Sequence, residues 1–178
     1  MPTASILIPV ASAAAALAAV ATAFYTARGS SVRAAFDLAR NLYNDLTSKD
    51  TAASRSALEF FRRAESRTEQ QAREVMDHYF ALLWQFEKVY AGRTSLVGQR
   101  RLNGSGPAVA YLDSMIRWHV TEWAARWLDL HTKIEEQVGK IDDPHSLKTF
   151  CDLAEQIEPE NEHVLLLRSL IAERTSQQ

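Results

Sequence analysis

The chain has one cysteine, Cys151, so no disulfide framework can form within it and no multi-cysteine metal site exists. That usage suits a reducing compartment. Glycine and proline are scarce, six and five in 178 residues, and no stretch alternates apolar with polar side chains, so a hairpin-rich β fold lacks both its turn residues and its period. There is no repeat of fixed period, no Gly-rich phosphate cradle, no nucleophile elbow and no paired Cys-x-x-Cys. Charge is also missing from the N-terminus, where no charged side chain precedes Arg28.

What remains is rich in Ala, Leu, Glu, Gln and Arg, the residues that lose least on entering a helix. With 47% hydrophobic and 24% charged residues the chain can bury a core and lies far from the signature of disorder. The net charge of −2 hides an asymmetry: residues 1–101 carry +4 and residues 102–178 carry −6. Overall acidity and the want of an aromatic-basic platform make nucleic acid an unlikely partner.

From Ile6 to Tyr25 twenty residues are uncharged, giving roughly 30 Å of helix, the thickness of a bilayer core. This predicts a transmembrane anchor over residues 1–28, followed by a cytoplasmic domain over 29–178. Phe24, Tyr25, Arg28 and Arg33 would form the membrane interface, and the arginines after the span place the N-terminus outside. A cleaved signal peptide ending at Ala21-Thr22-Ala23 and a buried soluble helix are the alternatives. Ala11, Ala15, Ala19 and Ala23 have the small-residue spacing that packs one membrane helix on another.

Beyond the anchor, apolar residues at spacings of three and four predict helices throughout. Val32 to Leu46 forms one stripe that continues the anchor past Gly29. A shorter helix holds Leu58, Phe60, Phe61 and Ala64 after a polar stretch, Thr47 to Ser56. Thr68 opens a helix running to Tyr90 with Gly92 as its C-terminal cap, and residues 93–107 form the main loop. Pro107 starts a central helix with its seam at Val109, Leu112, Ile116, Val120, Trp123, Trp127, Leu130 and Ile134. Acidic helices follow over 144–174, started by Pro144 and broken by Pro159. The predicted fold class is all-α, an N-terminal transmembrane helix followed by a soluble bundle of about five to six helices.

Arg73 with His78 and Arg126 with His131 have an arginine-histidine spacing that resembles the motif of HEPN-type helical ribonucleases, in which the histidine handles protons and the arginine the phosphate. The Asn, Asp or His that usually follows the arginine in that family is replaced here by Glu74 and Trp127, and 15 arginines make such spacings common by chance. His119 with Glu122, His131 with Glu135 and Glu160 with His163 lie one turn apart without the second motif a di-iron bundle requires, so neither a metal nor a cofactor is expected. Trp123 and Trp127 belong to the core seam, whereas Trp118 lies about 180° away beside Arg117 and predicts a binding surface. Arg62, Arg63, Arg67, Arg100 and Arg101 are candidates for anionic headgroups.

The segment Tyr79-Phe80-Ala81-Leu82-Leu83-Trp84-Gln85-Phe86-Glu87, with Gly92 and then Trp118 and Trp123 on a later helix, resembles bacterial single-pass membrane-anchored helical proteins known only as a domain of unknown function. The likeness spans residues 5–135 and implies topology without chemistry. The expected function is a membrane-tethered interaction or scaffold module, with the bilayer and a protein partner or second copy as its contacts. A membrane-associated ribonuclease or toxin-like effector using an Arg-His pair is the alternative.

Overall fold

In the computed structural model the backbone is described over residues 4–175, and side chains over 16–100 and 104–172. Among the described residues there are six α-helices and no strand: α1 Ala4–Leu46, α2 Lys49–Arg63, α3 Glu69–Asn103, α4 Gly106–Val138, α5 Pro144–Ile157 and α6 Glu162–Thr175. The all-α bundle expected from the spacing is thus present. α4 packs against each of the other five helices, and α3 against α1, α2, α4 and α5. The core seam predicted for α4 is buried throughout, with Trp123 2% and Trp127 0% exposed.

Local signals explain most boundaries. Ser48 caps α2 by accepting from the Thr51 amide at 3.3 Å. Thr68 and Gln71 form a reciprocal capping box at the start of α3. Pro107 and Pro144 occupy the first turns of α4 and α5, where a missing N–H costs nothing.

Three boundaries differ from expectation. The stretch Thr47 to Ser56 is not a linker, because α2 begins at Lys49 and turns Thr51 and Ser54 inward. Gly92 does not end α3. It lies where α3 crosses α1, and a Cβ there would stand 2.5 Å from Cδ1 of Leu42, so glycine serves close helix packing. The expected loop over 93–107 shrinks accordingly to Gly104 and Ser105, with Gly104 as the left-handed cap of α3 at φ 68°.

The expected single-pass localisation is overturned. Among the described residues no helix is long and apolar enough to cross a membrane. Residues 16–27 supply only about 18 Å of uncharged helix against the roughly 30 Å a bilayer core demands, and Arg28, Arg33, Asp37 and Arg40 charge the turns that follow. The side chains of residues 1–15, where the rest of the anchor was expected, lie outside those described. α1 is instead one uninterrupted helix whose residues 35–46 bury Ala35, Ala39, Leu42 and Leu46 against the bundle. Its residues 16–30 are exposed on all sides. Phe24 and Tyr25, expected at a membrane interface, contact each other edge to face at 6.1 Å and are 60% and 74% exposed. Arg33 is exposed, while Arg28 reaches back to the α3–α4 turn, 3.6 Å from where a Cβ on Gly104 would be.

Candidate functional site

The arginine-histidine pairs do not converge. Arg73 donates from Nε and Nη2 to Glu69, at 3.0 and 2.6 Å, on the exposed side of α3. His78 turns instead toward α2, its Nδ1 3.2 Å from the Ser54 hydroxyl. It lines a groove of about 260 Å³ between α2 and α3 with Phe60, Phe61, Gln71, Glu74 and Val75; Arg73 is not among the lining residues. Ser54 and His78 have the adjacency of a nucleophile and its base, but Ser54 is only 7% exposed.

Arg126 and His131 face different surroundings. Arg126 lies over the Trp123 ring at 5.4 Å and donates to Glu122 at 2.7 Å, with Glu59 3.8 Å away. Glu59 also gathers Arg62 and Arg63, and the hydrogen bond from Arg62, with help from Arg63 and Arg126, overcomes its partial burial and holds its carboxyl down at about 2. Arg62 bridges on to Asp129, and Arg67 donates to the carbonyls of Phe61 and Arg62. Of the arginines proposed for headgroup contact, Arg62, Arg63 and Arg67 are therefore committed to acids and helix ends, while the Arg101 side chain lies outside those described.

His131 is 1% exposed. Its Nε2 lies 3.4 Å from Asp143 and its Nδ1 3.5 Å from Glu135. The Tyr79 hydroxyl donates to the second oxygen of Asp143, and the other oxygen of Glu135 accepts from the Ile141 amide at 3.0 Å. This network joins α3, α4 and the α4–α5 connection, so its polar groups satisfy one another inside the fold, as buried polar groups must. Arg93 plays a comparable part: 9% exposed, it forks onto both oxygens of Asp113 at 2.6 and 2.9 Å and donates to Gln156 of α5.

A cluster that the spacing did not reveal joins α1, α2 and α4. Nη1 of Arg55 is 3.2 Å from Nδ1 of His119, whose ring lies 6.2 Å from Tyr43. Burial first, and then the Arg55 guanidinium, press His119 down to about 4, so the ring is neutral and its Nδ1 accepts. Nε and Nη2 of Arg55 are buried without a partner, and burial with the nearby Arg126 charge lowers its pKa. Arg55 sits in the stretch read as a polar linker, where no apolar period marks it.

On the outside of α4 Trp118 is 62% exposed, its ring edge to face with that of the adjacent His119 at 5.0 Å. Arg117 beside it bridges to Glu158 at 2.8 Å. Phe60 and Trp84, 78% and 59% exposed, are further aromatics that sequence spacing did not single out. Among the described residues no group of three or more His, Cys, Asp or Glu is placed to hold a metal ion.

No family model matches the chain, and neither does any curated protein or solved structure.

Proposed function

We propose that the protein is a helical interaction module, a scaffold that docks a partner protein on the surface of α4 around Trp118 and Arg117. The observation that carries this reading is Trp118, 62% exposed on a helix whose opposite seam is buried. Tryptophan and arginine dominate binding hot spots, because a large ring contributes area at little cost in rotamer entropy and a guanidinium orients its partner. The Arg117–Glu158 bridge beside the ring, and Glu122 one turn further along α4, give the patch a charged rim of both signs. Of the side chains that resembled catalytic pairs, His78, Arg126 and His131 reach to neighbouring elements and Arg73 pairs with Glu69 on its own helix, which further supports a module without chemistry of its own.

The test compares the full chain with Trp118→Ala and Arg117→Ala as bait in quantitative capture from the native cell. Trp118→Ala should lower recovery of a bound protein by about thirtyfold, the equivalent of a hot spot of about 2 kcal/mol, while leaving thermal stability unchanged. Equal recovery by the wild-type and Trp118→Ala chains would sink the proposal.

A further inference from the structure

Several arginines of this protein grip a carboxylate with the same edge of the guanidinium, the one that carries Nε and Nη2. Arg93 holds both oxygens of Asp113 with it, at 2.6 and 2.9 Å, and Arg62 holds both oxygens of Glu59, at 2.9 and 2.7 Å. Arg73 sets the same edge on one oxygen of Glu69, at 3.0 and 2.6 Å. The two N–H bonds there are parallel and match the oxygen spacing of a carboxylate or a phosphate. In Arg55, on α2, neither nitrogen of this edge has an acceptor among the described residues, although both are shut off from water. Its one polar contact is made by Nη1, 3.2 Å from the neutral Nδ1 of His119. Buried donors without an acceptor are costly, and more so on a charged group.

The interface between α2 and α4 explains why no carboxylate of the chain answers Arg55. Five cations, Arg55, Arg62, Arg63, Arg126 and Lys133, meet three carboxylates there, Glu59, Glu122 and Asp129. Glu59, one turn along α2 from Arg55, is drawn off by Arg62 and Arg63, with Arg126 3.8 Å away. Glu122 accepts from Arg126, and Asp129 from Arg62 and Lys133. Arg126 also stands close enough to Arg55 for the like charges to repel. The interface thus carries a surplus of two positive charges, and Arg55 is the cation without a carboxylate.

We propose that Arg55 is a receptor for a phosphate group, held side-on through Nε and Nη2 with Arg126 as the second charge. A phosphate near neutral pH carries close to two negative charges and so matches the surplus, and placed between the two arginines it turns their repulsion into attraction for a shared anion. The site can open. Arg55 as a whole is only partly buried, and its single hydrogen bond goes to an uncharged acceptor, so swinging the edge outward breaks less than parting any of the carboxylate forks would. Free phosphate and a phosphate monoester share this chemistry.

Titration calorimetry of the full chain with inorganic phosphate and with glycerol phosphate, at about pH 7.5 and with ionic strength held constant by chloride, tests the proposal. The wild-type chain should bind one phosphate group; tighter binding of the inorganic ion assigns the site to free phosphate, and tighter binding of glycerol phosphate to a monoester. Arg55→Gln should weaken binding at least about tenfold, as loss of a bidentate charged contact requires. Arg55→Lys keeps the charge without the fork and should weaken it about threefold or more; should the glutamine variant fail to fold, this one carries the test. Arg73→Gln, on the exposed side of α3, should bind as wild type does. Phosphate should also raise the thermal midpoint of the wild-type chain and leave that of Arg55→Gln unmoved. Binding no stronger than that of chloride, an Arg55→Lys chain equal to wild type, or an equal loss in Arg73→Gln would overturn the proposal.

Discussion

His119 and Arg55 illustrate how one buried pair sets the acid response of a protein. With its Nδ1 3.2 Å from the guanidinium, the imidazole must be neutral to accept, and its pKa in the fold is about 4 against about 6.5 unfolded. The unfolded chain then binds more protons between those values, so the contribution of His119 is fully present above about pH 6.5 and drains away as pH falls toward 4. Discounted for the solvent near the pair, the loss is about 1–2 kcal/mol. Glu59 adds a second loss lower down, as pH falls from the ordinary carboxylate range toward 2. Urea unfolding at pH 7, 5 and 4 checks this: His119→Gln, which cannot take up a proton, should be less stable than wild type at pH 7 yet lose less between pH 7 and pH 4. A slope equal to that of wild type would assign the acid sensitivity elsewhere.

At the level of the helix, Gly92 shows where reading the chain by punctuation succeeds and where it misleads. Glycine after an apolar run signals a cap, and Gly104 and Gly139 do adopt positive φ at the ends of α3 and α4. Gly92 has the same sequence context but a different cause, the approach of Leu42 from α1, which only the tertiary fold supplies. Gly92→Ala should therefore cost about 1–2 kcal/mol despite the better helix propensity of alanine, since overpacking outweighs the propensity gain. In a Leu42→Ala background the cost should vanish, and a double-mutant cycle in urea measures the difference. The seam of α4 was legible because its members are large and apolar at regular spacing. The inward face of α2 was not, since Thr51 and Ser54 share the helical spacing of Leu58 and Phe61 but carry hydroxyls, and hydrophobic periodicity cannot register a buried polar side chain. For the same reason the exposed Trp118 could be anticipated by its angle from the seam, while Arg55, His119 and the Tyr79–Asp143–His131 network depended on pairings between residues 12 to 64 positions apart. The apolar character of α1 was visible too, but hydrophobic length alone could not tell a span from a helix whose second half docks on its own bundle.

Taken whole, the molecule is a bundle centred on α3 and α4, with residues 16–30 of α1 exposed. Exposed side chains bury no apolar surface and so add little to stability. A chain beginning at Arg28 should therefore keep the bundle's helices and melt within a few degrees of the full chain. Calorimetry with circular dichroism checks this, and a fall of about 10 °C or more would show that the exposed length stabilises the bundle.

Cys151, 3% exposed on α5 with its sulfur 3.9 Å from the Val164 carbonyl of α6, has a consequence of a different kind. Burial, aided by Asp152 and Glu155, lifts its thiol to about 11, so in the closed fold it is both shielded and unreactive. It can be modified only while a fluctuation uncovers α5. The protein thus carries its own clock for such openings: the rate at which a thiol reagent consumes Cys151 is expected to count them one at a time.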